Sequence, residues 1–195
     1  MIRIFDPQMI QKQKENLDYI TEHRTNVIKA FNNLFAGKTL STYSISEQEF
    51  DLAIRSIAND IKNHDESKYS DDEFYAYRQK FFPTDNELKM MQEDSAYALK
   101  IEEDFKIAWK HHFTTNDHHP KYWKVINGEF NEDNEPTDMS LGAIIHAICD
   151  WEAMSMKFGG NTLDWFNTKA DDEKSYMTER TLQIFTEILD LLFNK

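Results

Sequence analysis

Six of the seven histidines in this chain fall in three places, and one late aspartate completes a set with the chemistry of a metal site. His23 lies in helical sequence, and His64-Asp65 ends an apolar stripe. His111-His112 and His118-His119 offer four imidazoles within nine residues, and Asp150 follows in an apolar stretch. Imidazole and carboxylate are the ligand types that hold first-row divalent ions. Contributed by separate helices, they would build such a site inside an all-α bundle. Each group also has an ordinary role. A histidine at a helix C-terminus interacts with the dipole, a histidine pair can decorate a solvated loop, and His23 can be a half-buried neighbour of Arg24. A buried carboxylate at position 150 needs a partner, which a lysine, an arginine or a metal would supply. The joint occurrence of all the groups favours the metal.

Six helices are expected to carry these residues. The first runs from about Pro7 to Phe35, with Leu17, Ile20, Val27, Phe31 and Leu34 at helical spacing and Gly37 as its stop. Ser44 or Ser46 caps the second, with Glu49 completing a capping box to Ser46. Its stripe of Phe50, Ile54, Ile57 and Ile61 continues to His64. A third helix is expected from about Ser70 to Phe82, ahead of Pro83. A long fourth starts at Asp85 or Asn86, and its face of Met91, Ala98, Ile101, Phe105 and Ala108 leads to His112 rather than His111. The stretch from Thr114 to Asp138 is long for a connection, which points to a function. Thr137 or Asp138 caps the fifth helix and Gly159-Gly160 ends it. On that helix Asp150 aligns with Ala143, Ala147 and Met154, small neighbours that leave room for an ion. The sixth runs from about Asp171 to Phe193.

Composition narrows the functional classes. The 195 residues predict a single domain, 1–195, all-α and large enough for a substantial core. Five Gly and four Pro supply few turns for an all-β fold, while fourteen Phe, eight Tyr and four Trp argue against disorder. A net charge of −13 disfavours binding to polymeric nucleic acid. It leaves room for a small phosphorylated substrate, because a metal ion supplies positive charge locally. Cys149 is the sole cysteine, so neither an intrachain disulfide nor a cysteine zinc site is expected. Met1 to Pro7 shows no signal-peptide pattern, and no segment approaches the ~20 apolar residues of a membrane span. A cytoplasmic protein without a membrane partner is the expectation, with the apolar last helix available for a homo-oligomer.

His23, His64-Asp65 and Asp150, each on its own helix, resemble the H…HD…D signature of the HD-domain metal-dependent phosphohydrolases. His64-Asp65-Glu66-Ser67-Lys68 resembles the HDxxK form of several branches. The segments HDESKYSDDEF, HHFTTNDHHPKYW and CDWEAM look like those of short, uncharacterised bacterial and phage proteins of this type. The resemblance spans about His23 to Trp165 and implies an HD-like helical bundle. It implies His23, His64, Asp65 and Asp150 as ligands of one divalent ion (Mn, Fe, Co, Ni, Zn or Mg). His111-His112 resembles the histidines of branches that bind a second ion. The helix face favours His112 for that role, with His119 or His118 reaching in from the loop. The Gly-rich loop that follows the histidine pair in cyclic-dinucleotide hydrolases is absent, which counts against that substrate. His146 forms an i, i+4 pair with Asp150, but it stands outside the family-like pattern and ranks below the multi-helix set.

The expected activity is hydrolysis of a small phosphoester such as a nucleotide. Asp65 would act with the ion, and Lys68 would stabilise phosphate charge or hold the carboxylates. His111, Asn116, His118 and Lys121 are the candidate substrate-binding residues. Tyr122 and Trp123 would stack on a base or anchor the loop to the core. Two other functions fit the same ligands: a di-iron oxygenase, and a non-catalytic helical binding protein stabilised by metal.

Overall fold

The computed structural model describes residues 7–194. The N-terminal stretch up to Asp6, expected to lack a signal-peptide pattern, lies outside the described residues. The fold is all-α. In chain order the helices are α1 (Pro7–Leu34), α2 (Glu47–Lys62), α3 (Phe74–Phe81), α4 (Asp85–Glu93) and α5 (Ser95–Thr115). They are followed by α6 (Leu141–Phe158), α7 (Thr162–Lys169), α8 (Asp171–Lys174) and α9 (Glu179–Phe193). Short 3-10 turns occupy Glu66–Tyr69 and Pro120–Lys124, and β1 (Val125–Ile126) pairs antiparallel with β2 (Glu129–Phe130). Contacts gather the chain into two compact units. Among the described residues, the first contains 7–22 and Asp65–Thr115, and the second contains His23–His64 and 116–194.

In the first unit α5 packs against α3, α4 and the Glu66–Tyr69 turn. The expected long helix from Asp85 is two helices, because Asp94 interrupts it. Its backbone is extended, and its Oδ1 accepts from the backbone N–H of Ala96 at 2.9 Å and of Tyr97 at 3.3 Å. An aspartate that caps the next helix ends the previous one. Thr84 begins α4 through a capping box with Glu87. Glu87 also receives both terminal nitrogens of Arg78, at 2.5 and 2.8 Å, in a buried two-pronged pair. Burial pushes the Glu87 carboxyl upward, but the Arg78 hydrogen bonds and charge and the Thr84 bonds hold it below its ordinary value. The helix expected from Ser70 starts only at Phe74, after the 3-10 turn.

The second unit holds the larger apolar core. Ser46 caps α2 with the expected capping box to Glu49. The cap of α6 is Ser140, whose hydroxyl accepts from Ala143 N at 3.1 Å. Thr137 instead donates its N–H to the carbonyl of Trp123. Every residue of α6 from Gly142 to Cys149 is buried, and α6 packs on α2, α7 and α9. A Cβ at Gly142 would stand 2.6 Å from Ile57 Cγ2, so glycine is what lets α2 and α6 approach this closely. Trp151 stacks on Phe185 with ring centres 5.0 Å apart, and Phe166 packs against both. The last expected helix is divided at Thr178, whose hydroxyl caps α9 through Thr181 N. The unexpected α7 starts at Asn161, which accepts from Asp164 N. Among the described residues no helix is long and apolar enough to cross a membrane.

Candidate metal centre

Local chemistry at the end of α2 sets up the first polar cluster, within the second unit. Asn63 closes the helix with its N–H on the Asn59 and Asp60 carbonyls, and His64 follows at once. Arg24, one residue after His23 on α1, donates to the Lys62 carbonyl and to Asn63 Oδ1. A guanidinium is well suited to terminal carbonyls of a helix. Here it ties the turn that bears His23 to the turn that bears His64.

Three ligand-type atoms then converge. His23 Nε2 lies 3.0 Å from His64 Nε2 and 2.9 Å from Asp150 Oδ1, and His64 Nε2 lies 3.6 Å from the same oxygen. Atoms bound about 2.1 Å from one ion at roughly 90–120° have separations of this size. One position can therefore lie at bonding distance from all three. His23 and His64 are buried, and Asp150 keeps a 15 % exposed side chain. Groups of His and Asp in this cluster are thus close enough to hold a metal ion.

The cluster extends beyond the expected set. His64 Nδ1, the opposite ring nitrogen, lies 2.9 Å from Nε2 of His146 on α6. His118 packs its ring 4.7 Å from that of His64 and 4.4 Å from that of His146. All three are buried. His118, expected to contact substrate, is therefore packed among imidazoles, and His146, which stands outside the family-like pattern, packs against both His64 and His118. The i, i+4 spacing to Asp150 was the available signal. His119 lies against His118, ring centres 4.4 Å apart. A cavity of about 560 Å³ has His146 in its wall, together with Asp60, Asp117, Ser56 and Ser140.

The other expected residues of this unit have different surroundings. Asn116 accepts the His119 N–H at its carbonyl. Lys121 lies over the Tyr176 ring at 4.7 Å and 3.4 Å from Asp172. Burial would lower its pKa, but Tyr176, Asp172 and Glu173 more than reverse this and raise it. Burial, with Asp172 and Asp150 adding to it against Lys121, pushes Glu173 up to about 7. Trp123 donates its indole N–H to the Asp117 carbonyl at 2.7 Å and packs against the core, the anchoring role of the two considered.

The first unit has its own polar cluster. Asp65 adopts a left-handed backbone, φ 55° and ψ 33°, which aspartate tolerates better than most residues. The following 3-10 turn brings Lys68 Nζ to 2.7 Å from Asp65 Oδ2. His112 Nε2 is 3.4 Å from Asp65 Oδ1, while its Nδ1 is 2.9 Å from Glu73 Oε2. His111 Nδ1 is 2.8 Å from the other oxygen of Glu73. Glu73 is fully buried and was not anticipated, because it sits in an acidic run that reads as a solvated face. Burial pushes its carboxyl upward. The His112 hydrogen bond and charge, with bonds from Ser67 and His111, more than offset this and leave it lowered. The Glu73 carboxylate at Nδ1 fixes the His112 ring and leaves its Nε2 facing Asp65. Trp109 stacks on His112, and Lys68 lies over the Tyr77 ring at 5.5 Å.

Comparison with known proteins places the chain in a family without assigning an activity. The chain belongs to a family of unknown function (DUF5662), whose model matches residues 12–191. No curated protein and no solved structure matches it.

Proposed function

We propose that this protein is a metal-dependent hydrolase of small phosphoesters, in the manner of the HD-domain enzymes that its H…HD…D pattern resembles. The observation that carries the reading is the convergence of His23 Nε2, His64 Nε2 and Asp150 Oδ1 within 2.9–3.6 Å of one another. Two neutral imidazoles and a single carboxylate suit a first-row divalent ion and leave it net positive, ready for an anionic substrate. When bound, such an ion polarises a phosphoryl oxygen and lowers the pKa of a water towards ~7. His23 and His64 supply nitrogen ligands from rings held by their helices and by the Arg24 clamp. Asp150 supplies the negative charge and is the most exposed of the three, so the open side of the site lies at the carboxylate. In the first unit, Lys68 is matched to Asp65 at 2.7 Å, which supports a role in holding that carboxylate.

The test is phosphate release from a panel of nucleotides and simple phosphoesters by purified protein loaded with Mn, Co, Fe, Ni, Zn or Mg. Metal-dependent release that is lost in Asp150→Asn supports the proposal. Absence of release with every ion overturns it. The near-complete burial of His23 and His64 favours one second reading, a binding protein in which the ion only braces helices. In that case chelation lowers thermal stability while no phosphoester is turned over.

A further inference from the structure

The histidines used above as one ligand group belong to two groups that share a residue. His64 directs Nε2 at His23 and Asp150 and Nδ1 at His146, with His118 packed against both His64 and His146. Ligand nitrogens of His64, His118 and His146 all lie within 4.8 Å of one another. We propose that His64, His118 and His146 hold a second divalent ion, so that the His64 ring bridges two metals. The proposal rests on the reading that His23, His64 and Asp150 hold the first.

Three features support it. A hydrogen bond between His64 and His146 would need two rings, whereas three buried imidazoles are gathered here from α6, the second residue after α2, and the loop after α5. Three imidazole nitrogens are the protein share of an open tetrahedral site, with the fourth position left for water or substrate. The cavity of about 560 Å³ has His146 in its wall, which opens this side of the group to solvent. Its wall carries Asp60 and Asp117 and no lysine or arginine, a lining that draws cations inward.

The ligand set defines the ion. Imidazole without carboxylate suits Zn, Cu, Ni or Co and is a poor host for Mg or Ca. A ring bound through both nitrogens carries no N–H, so the ring proton of His64 passes to solvent as the second ion binds. The ligands add no other negative charge, so the fourth position would favour hydroxide or an anionic oxygen of the substrate.

Equilibrium dialysis with Co²⁺ or Cu²⁺, followed by elemental analysis, tests this directly. Wild-type protein is expected to take up two ions per chain. His146→Gln and His118→Gln are each expected to retain one, and Asp150→Asn is expected to lose the first site. In the wild type, the electron spin resonance signal of the first Cu²⁺ equivalent should be altered by magnetic coupling when the second is added. A wild type that saturates at one ion overturns the inference, as does retention of two ions by His118→Gln. His118 lies in a loop, so that variant and the wild-type spectrum still decide the matter if His146→Gln fails to fold. Two coupled ions without phosphoester hydrolysis would leave this inference standing and overturn the proposed activity. One ion with hydrolysis would do the reverse.

Discussion

The two units bury comparable numbers of polar side chains but satisfy them by opposite means. In the first unit each buried acid meets a donor of its own: Glu87 meets Arg78, Glu73 meets His112 and His111, and Asp65 meets Lys68. In the second unit imidazoles meet imidazoles, His23 with His64 and His64 with His146, and one carboxylate serves the group. Opposite charges brought together offset the cost of burial through their hydrogen bonds and mutual attraction. Nitrogen lone pairs brought to 2.9–3.0 Å have the spacing of ligands around a cation. Similar residue types therefore read as structural pairing in one unit and as a candidate metal centre in the other.

The strongest way to break this comparison is His64→Ala, which removes the ring common to both imidazole groups. Metal affinity should fall by more than the ~10–100-fold typical of losing an outer-shell partner, measured by competition with a chromophoric chelator. Retention of wild-type affinity would remove the distinction between the units. Next is Arg78→Ala, which leaves Glu87 buried without its cation and should cost about 3–5 kcal/mol in urea unfolding. Its metal content should match the wild type, because the pair belongs to the other kind of chemistry.

A smaller effect is expected from Gly142→Ala. Its Cβ would lie 2.6 Å from Ile57 Cγ2, so α2 and α6 must shift, at about 1–3 kcal/mol for overpacking. Because His64 follows α2 and His146 lies on α6, metal affinity should drop with stability. A stable variant with unchanged affinity would show that this close approach does not set the site. Acid titration sharpens the comparison from the other side. The Glu87 carboxyl is lowered in the folded protein, so its contribution is present above the ordinary glutamate pKa and lost as pH falls through the folded value. Arg78→Met should flatten that acid limb, read by thermal melts across pH. Last, Ser46→Ala removes the α2 cap for about 1 kcal/mol and should leave metal stoichiometry untouched.

Local rules made several elements legible. The apolar stripe and Gly37 bounded α1, Ser46 with Glu49 began α2, and Gly159 stopped α6. The interruptions at Asp94 and Thr178 have no local signature, because a polar residue inside a periodic pattern serves equally as a surface position or as a cap. The difference is whether its oxygen turns back onto the next N–H groups. Residue type and resemblance point to His23, His64, Asp65 and Asp150 as one set, of which His23, His64 and Asp150 converge on one another. His146 stands outside that pattern and Glu73 sits in an acidic run, so residue type alone singles out neither.

By itself the sequence determined an all-α chain, its main helix boundaries and the ligand chemistry available to it, since periodicity, capping and residue type act over a few positions. Which imidazoles meet was decided only by tertiary structure. The approach of α2 to α6 at Gly142, the Arg24 clamp and the packing of His118 join residues dozens of positions apart. Their distances depend on how helices pack, and no short stretch of sequence encodes that.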